Sequence, residues 1–234
     1  MKRATKITSA KTIGVKKIAA LSLLGLAVMN SSMVVADDSF WYGGANIGQS
    51  TATIDNAKIR AQLQAGGLTT RSLSNDDSDF SYKLFGGYQV NKNFAVESGY
   101  FNLGEFGYAA TTNPTGSLAG KIKLQGLNVD AVGMLPFALP FALPFAGKFS
   151  AFGRIGAQYA RAKDTFTRTG AVTVTYPNPS KNTINYKAGL GLQYDFNNAL
   201  GMRAEVERYR INDAIGSKGD FNAYSVGLIY RFGE

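Results

Sequence analysis

Charged residues recur at alternate positions of several apolar stretches, and they are the side chains that could do chemistry. Arg203, Glu205 and Glu207 are spaced two apart, so they share one face of a strand. Two neighbouring carboxylates can in principle act as general acid and base. Because Arg203 lies on the same face, an interior ion-pair network is the simpler interpretation. We therefore predict no catalytic residues.

The composition limits the chemistry further. The 234-residue chain has no histidine and no cysteine. The commonest general base and the commonest catalytic metal ligand are missing, and so are disulfides, cysteine nucleophiles and thiolate metal sites. We expect no metal, no cofactor and no enzymatic activity.

The charge is unevenly distributed. A net charge of +9 would suggest a nucleic-acid partner. However, residues 1–36 contain six basic residues and no acid, which leaves 19 basic and 16 acidic residues for the rest of the chain. We therefore expect no nucleic-acid partner.

The first residues have the features of a secretory signal peptide. A basic start precedes an apolar run at 18–28, and the small residues at 34–36 suit a cleavage site. The run is too short to span a bilayer as a helix. We predict a signal peptide over residues 1–36, with an amphipathic N-terminal helix as the alternative, and a single domain over 37–234.

Alternating apolar and polar residues, with frequent glycines and aromatics, predict eight strands. They cover residues 40–54, 80–90, 94–108, 120–135, 149–165, 184–196, 200–212 and 221–232. The connections alternate between tight turns at 91–93 and 197–199 and longer polar loops at 55–79, 109–119, 166–183 and 213–220. Short turns at one end and long loops at the other are typical of a transmembrane barrel.

A soluble lipocalin-type barrel has the same number of strands but turns its apolar faces inward. In residues 184–196 and 200–207 the face opposite the apolar one carries charges, which a dry core does not tolerate unpaired. We predict no helix that could cover an open sheet. The prediction is therefore all-β, an eight-stranded antiparallel transmembrane β-barrel with apolar faces toward lipid.

The last strand, residues 221–232, carries a recognisable pattern. Ser225, Gly227, Tyr230 and Phe232 resemble the closing-strand signal of outer-membrane barrels, which the barrel assembly machinery reads. We expect these four residues to act as an assembly signal.

Several segments resemble, in order, the transmembrane domain of the OmpA family. LFGGYQVN at 84–91 leads into VESGY at 96–100, as in the second hairpin of that domain. Other strands are matched by WYGGA at 41–45, QGL at 125–127, RAE at 203–205 and YRFG at 230–233. The resemblance implies the cell outer membrane, with lipid and lipopolysaccharide as neighbours. OmpA continues into a peptidoglycan-binding domain, which we do not expect here because the sequence stops at Glu234.

Nine charged residues are expected to point into the barrel. They are Lys83, Glu97, Asp130, Arg154, Lys187, Asp195, Arg203, Glu205 and Glu207. The interior of eight strands is just wide enough for side chains to fill, so these residues form either a water-poor plug or a narrow gated ion route.

The resemblance assigns Glu97 and Arg203 to the interior gate pair of the family. A lysine and a glutamate of the same family cluster correspond here to Val132 and Gln193. We therefore expect Glu97 to lack its alternative partner.

Two arginines, Arg161 and Arg208, fall on the outward face near the loops. Such residues cost ~2–4 kcal/mol at the bilayer midplane, but at the outer rim they could bind lipopolysaccharide phosphates. The alternative is a local bulge that turns them inward.

Residues 135–146 repeat LPFA three times, between the fourth and fifth predicted strands. Because proline disfavours helix and interior strand, we predict a turn. Alternatively, the repeat lies in the membrane interface or docks on a partner.

Two functions fit the sequence. The first is a structural outer-membrane barrel with at most weak porin activity. The alternative is a surface adhesin or receptor of the OmpX kind, with an extracellular ligand bound by loops 55–79 and 166–183. Binding surfaces favour aromatics, and these loops contain only Phe166 and Tyr176, which disfavours the alternative.

Overall fold

The computed structural model describes residues 39–137, 148–173, 178–212 and 218–232. Its elements are β1 (Phe40–Ala52), α1 (Asn56–Ala65), β2 (Thr69–Asp76), β3 (Ser78–Asn91), β4 (Phe94–Asn113), β5 (Gly116–Phe137), β6 (Lys148–Gly170), β7 (Ser180–Asp195), β8 (Leu200–Asn212) and β9 (Lys218–Phe232).

Eight of the nine strands in the described residues close into an antiparallel ring. The order around the ring is β1, β3, β4, β5, β6, β7, β8, β9, and β9 pairs with β1 over Trp41–Ala52 to complete it. Closure satisfies the backbone donors and acceptors of both terminal strands, as a lipid environment requires. The predicted eight-stranded barrel is confirmed, and β8 covers the predicted residues 200–212.

The outer face of the ring is apolar, as predicted. Five outward side chains of β9 are 50–57% exposed: Tyr224, Val226, Leu228, Tyr230 and Phe232. Aromatic rings gather at both ends of this face, for example Tyr194 and Phe196 at 5.1 Å and Tyr82 and Tyr100 at 6.1 Å. An apolar band between two aromatic girdles is the lipid-facing surface of a transmembrane barrel.

One end of the barrel, here called the turn end, carries the two predicted tight turns. Asn91 Oδ1 accepts hydrogen bonds from the backbone N–H groups of Asn93 and Phe94, at 2.9 and 3.0 Å. Asn197 Oδ1 does the same for Ala199 and Leu200, at 2.9 and 2.7 Å. Both are local Asx-type contacts, which explains why the sequence alone located them.

At the opposite end, here called the loop end, four strands run at least four residues further than predicted. β4 extends to Asn113, β5 starts at Gly116, β6 extends to Gly170 and β7 starts at Ser180. The predicted loop at 109–119 is therefore mostly strand, and the loop at 166–183 is shorter than predicted. These stretches are rich in Thr, Ser and Gly on both faces, so they lack the alternation that indicates a strand.

The predicted loop at 55–79 contains α1 and β2, so the prediction that the chain has no helix was wrong. The Asp55 side chain caps α1 by accepting a hydrogen bond from the Lys58 backbone N–H at 3.0 Å. Ile59 and Leu63, one turn apart, are its buried residues. Two apolar positions in ten residues are a weak periodic signal, which the sequence analysis missed.

Strand β2 continues the line of β3 along β4. β3 pairs with β4 as far as Asn102, and β2 pairs with it from Gly107 onward. Between them β4 bulges at Gly104, with φ of 81°, where the Asp79 carboxylate accepts a hydrogen bond from the Glu105 N–H at 2.6 Å. A side chain at Gly104 would collide with Asp79, so only glycine suits this bulge.

The loop-end extension consists of α1, β2 and residues 105–113, 116–124 and 162–170 of β4, β5 and β6. Its small core joins Ile59 and Leu63 of α1 to Ala110, with Leu73 and Leu118 packed against them. Burial also raises the pKa of Tyr108, which packs beside this core. The extension is therefore a packed substructure built on strands that continue beyond the end of the ring.

The LPFA repeat begins within a strand. Leu135, Pro136 and Phe137 end β5, and Pro136 stands opposite Ser150 of β6. Leu135 lies within the predicted strand 120–135, whereas the prediction of a turn was wrong for Pro136 and Phe137, since a proline is tolerated near a strand end. The remainder of the repeat, residues 138–147, lies outside the described residues.

The predicted signal peptide also lies outside the described residues. Within the part of the chain that the structure describes, no helix is long and apolar enough to cross a membrane.

Candidate functional site

A layer of charged side chains crosses the barrel lumen. Eight of the nine residues predicted to point inward meet there, each at most 4% exposed: Lys83, Glu97, Asp130, Arg154, Lys187, Arg203, Glu205 and Glu207. They come from β3 to β8, and strand alternation turns all of them to the inner face. With four cations and four anions, the layer is formally neutral.

Arg154 lies at the centre of this layer. Its Nη1 donates to Glu97 Oε2 at 2.8 Å and to Asp130 Oδ2 at 3.4 Å. Its Nη2 is 2.7 Å from Glu205 Oε2, and Nη1 is 3.6 Å from Glu207 Oε1. One guanidinium thus contacts all four buried carboxylates.

Glu97 has two cationic partners. Arg203 Nη1 donates to Glu97 Oε1 at 2.7 Å, and Arg154 binds the other carboxylate oxygen. The expectation that Glu97 lacks a second partner was wrong, because Arg154 reaches it from β6. Gln193 accepts a hydrogen bond from Arg203 Nη2 at 3.0 Å, whereas Val132 is buried in an apolar cluster nearby.

The two lysines bind three of the four buried carboxylates. Lys187 Nζ donates to Asp130 Oδ2 at 2.8 Å and to Glu207 Oε1 at 2.6 Å. Lys83 Nζ is 3.0 Å from Glu207 Oε2 and donates to Glu205. A buried charge is tolerated only when it is paired and hydrogen-bonded, and each of the eight charged groups makes at least one such hydrogen bond. Some of their buried atoms, such as Asp130 Oδ1, Arg203 Nε and Glu205 Oε2, have no hydrogen-bond partner among the described residues.

Neutral side chains that the sequence analysis did not select complete the network. The Tyr42 hydroxyl donates to Glu97 Oε1 and the Tyr209 hydroxyl to Glu207 Oε2, both at 2.8 Å. Asn46 Nδ2 donates to Glu205 Oε1 at 2.6 Å. The sequence feature that could have identified these residues is their position on the inward face of a strand, which follows from the alternation of faces.

Small residues make room for this layer. Gly156 stands between Asp130 on one neighbouring strand and Lys187 on the other. A Cβ at Gly156 would overlap the Asp130 carboxylate. Because Gly156 has no side chain, the Asp130 and Lys187 side chains can meet across it at the inner wall.

Apolar layers enclose the charged layer on both sides. Toward the loop end lies a buried cluster of Phe101, Leu103, Phe106, Leu124, Ala160, Ala162, Tyr209, Ile211, Phe221 and Ala223. Toward the turn end lies a second cluster of Tyr42, Phe85, Ala95, Val132, Phe152 and Ile229. The charges are therefore held in the middle of a packed interior.

The ninth predicted residue, Asp195, is not part of the layer. Arg231 Nη2 donates to Asp195 Oδ1 at 2.5 Å at the turn end, and Arg231 Nη1 also donates to the Asn198 carbonyl at 2.9 Å. This separate pair ties the last strand to the β7–β8 turn.

The residues predicted as an assembly signal lie on β9, the strand that closes the ring. Ser225 and Gly227 are on its inner face, and Tyr230 and Phe232 are on its outer face with ring centroids 5.3 Å apart. Phe232 stands opposite Trp41 at the turn end. The pattern thus lies across the junction between the first and last strands.

Both rim arginines point outward. The pairings around Arg161 and Arg208 continue without a register shift, so no bulge turns them inward. Arg208 Nε is 3.9 Å from Asp220 Oδ2. Arg161 stands opposite Gln125, just above the outer aromatic residue Tyr159.

Within the described ranges, no group of three or more His, Cys, Asp or Glu residues could hold a metal ion. A closed eight-stranded ring with an apolar, aromatic-flanked outer face and a charged interior defines an integral outer-membrane β-barrel. The profile of the OmpA-like transmembrane domain matches residues 36–234, and the chain belongs to that family. The predicted outer-membrane location follows from this membership.

Named relatives agree with this assignment. Outer membrane protein A of Salmonella typhi is 26% identical over 219 residues, which is 92% of this chain and 54% of that protein. An uncharacterised Coxiella burnetii protein is 26% identical over 190 residues, or 70% of this chain and 74% of that protein. The chain spans about half the length of the outer membrane proteins A that it matches.

Two solved barrels are similar in fold. Neisserial surface protein A has a TM-score of 0.48 at 11% identity, covering 84% of this chain and 100% of that one. OprG of Pseudomonas aeruginosa has a TM-score of 0.43 at 17% identity, covering 84% and 97%.

Proposed function

We propose that this protein is a structural barrel that stabilises the outer membrane, with a lumen closed to ions. The observation that carries the proposal is the pair of apolar layers around the charged network. A hydrated ion that crosses them must lose its water without gaining polar contacts, which is strongly unfavourable. The neutral network offers no excess charge to compensate.

Planar-bilayer recording of the refolded protein tests this proposal. We expect no conductance steps above the protein-free baseline. A matched variant that combines Phe101→Ala and Leu103→Ala with Phe85→Ala and Phe152→Ala thins both apolar layers without altering a charge and should introduce conductance. Regular conductance steps in the wild type would contradict the closed lumen and indicate a weak porin.

The gate that the OmpA resemblance assigns to Glu97 and Arg203 makes a different prediction. If that pair alone blocks ions, Arg203→Ala should conduct. In a barrel closed by apolar layers it should stay silent, because Phe101 and Phe152 remain in place. The same recordings therefore distinguish the two accounts.

A role outside the membrane is the second candidate, and the loop-end extension favours it. Short turns of such barrels face the periplasm, which puts the extension outside the cell. Its strands and α1 share a core around Leu63, so it presents a sheet-supported surface instead of loose loops. Binding sites are commonly carried by elements that a rigid scaffold positions in this way.

Replacing residues 53–77 with a short Gly-Ser linker removes α1 and β2 and tests this role. Adherence of cells that display the protein to cultured epithelial cells should fall to the level of cells without it. The matched control, Lys92→Gln at the turn end, should adhere like the wild type. If adherence is unchanged after the replacement, the role outside the membrane is excluded and only the structural role remains.

We also infer that the protein is not an enzyme. The carboxylates that could act as acid and base, Glu205 and Glu207, are engaged by Lys83, Arg154 and Lys187. They are enclosed in the packed interior, out of reach of a substrate.

A further inference from the structure

A basic patch lies where the outer wall of the barrel meets the loop-end extension, to which Lys123 and Lys163 belong. Lys123 of β5 stands directly opposite Lys163 of β6, and Arg161 lies one outward position below Lys163. All three side chains are exposed. Glu105 of β4 stands opposite Lys123 on its other side, but its carboxylate binds Lys121 at 2.7 Å. Among the residues that the structure describes, no carboxylate lies within ion-pair distance of any of the three.

This arrangement is costly without a partner. Like charges directly opposite each other on a sheet are destabilising, since their Cβ atoms are only ~4.5–5.5 Å apart. Arg161 adds a third cation diagonal to Lys123. An anion with several oxygens would relieve the repulsion and accept charge-assisted hydrogen bonds from all three.

The height of the patch indicates where that anion comes from. The outward row just below it, toward the turn end, consists of Tyr100, Leu127, Tyr159 and Ile184. Tyrosines mark the boundary between hydrocarbon and headgroups. The three cations therefore begin at headgroup level, and they project sideways from the wall toward the membrane.

A groove lies further down the same wall, beyond Leu127 and Tyr159. It has a volume of about 580 Å³, and its walls include Val129, Ile155 and Tyr186, while Ala131 and Ala188 form a low floor. Val129 and Ile155 are each six residues along their strands from Lys123 and Arg161, a rise of about 20 Å. That is the direction in which the acyl chain of a lipid held at the patch would run.

We propose that Lys123, Arg161 and Lys163, together with the groove below them, form a binding site for one phosphate-bearing lipid of the outer leaflet. The phosphate lies between the three cations, and an acyl chain lies in the groove. This inference rests on the outer-membrane location, and it is independent of whether the lumen conducts ions or the extension binds a ligand.

Native mass spectrometry of the protein released from mixed bilayers tests the site. The bilayers contain dioleoyl phosphatidylcholine and dioleoyl phosphatidic acid, which share acyl chains and differ in the exposed phosphate. The wild type should retain phosphatidic acid in excess of its bulk fraction. The combined variant Lys123→Gln, Arg161→Gln, Lys163→Gln should lose this preference, so that the ratio falls to the bulk value.

The control removes the same charge elsewhere: Lys58→Gln, Lys92→Gln, Lys148→Gln should keep the preference. Ala131→Phe fills the groove from the lipid side, where an aromatic residue is tolerated, and should reduce retention of phosphatidic acid. Folding of every variant is verified by its heat-modifiable migration on gels.

Three results would overturn the proposal. One is equal retention of both lipids by the wild type. Another is a preference that survives in the patch variant. The third is full displacement of the lipid by inorganic phosphate or soluble sucrose octasulfate with no effect of Ala131→Phe, which would mean that the patch binds a soluble anion.

Discussion

Arg154 of β6 donates a 2.8 Å hydrogen bond to Glu97 of β4, a residue 57 positions earlier in the chain. The two strands are not neighbours in the ring, because β5 lies between them. Their side chains meet by reaching through the lumen. This contact changes the role of Arg203, which shares Glu97 instead of holding it alone.

Arg154→Ala should be the most destabilising substitution in the charged layer. It leaves four carboxylates without their common partner, whereas Arg203→Ala removes a partner from one carboxylate, Glu97, and from the neutral Gln193. Stranding buried charge costs about 3–5 kcal/mol. Urea unfolding of the refolded barrel in lipid vesicles measures the difference; a smaller loss for Arg154→Ala than for Arg203→Ala would contradict the central position of Arg154.

Glu97 and Arg203 should be energetically coupled. A double-mutant cycle with both alanine substitutions should give an interaction free energy within the ~0.5–3 kcal/mol range of contacting pairs. Arg154 stays beside Glu97 when Arg203 is removed, which should keep the value in the lower part of that range. Pairing Glu97→Ala with Arg231→Ala serves as the control and should be additive, since Arg231 binds Asp195 instead. If the two substitutions change the free energy of unfolding additively, Glu97 and Arg203 do not interact and cannot form a gate.

Phe232→Ser should lower the fraction of protein that assembles. Phe232 ends the closing strand on its lipid face, opposite Trp41 of β1. The heat-modifiable fraction on unheated gels measures assembly. Phe196→Ser, which changes another exposed aromatic residue at the same end, is the control and should assemble normally. If both variants assemble alike, the pattern at the end of β9 is not an assembly signal.

Leu63→Ala should loosen the loop-end extension without unfolding the barrel. Leu63 is 6% exposed in the core that joins α1 to β4 and β5, and truncating a buried leucine costs about 2–5 kcal/mol. Trypsin should then cleave faster at Arg60 and Arg71, while the urea midpoint of the barrel stays unchanged. Gln64→Ala, exposed on the same helix, should be cleaved at the wild-type rate.

Removal of residues 1–36 remains a prediction from the sequence. The small residues before Asp37 follow an apolar run, as a signal peptidase site requires. Amino-terminal sequencing of the protein from the outer-membrane fraction should begin at Asp37. A start at Met1 would exclude the predicted leader.

The apolar outer face, the inward charges and the tight turns at Asn91 and Asn197 were all readable from the amino-acid order. Strand alternation has a period of two, so each residue's face follows from its neighbours alone. Asparagine turns are likewise local, since one side chain binds the backbone two and three residues on. The extension was missed because its strands are polar on both faces and its helix buries only Ile59 and Leu63.

The contacts between the inward charges are determined only when the barrel closes. Alternation shows that Glu97, Arg154 and Arg203 point inward, but their relative heights depend on the stagger and tilt with which the ring closes. That same stagger puts apolar layers above and below the charges, and it sets Lys123 against Lys163 on the outer wall. These contacts join residues distant in sequence, and no local pattern encodes them.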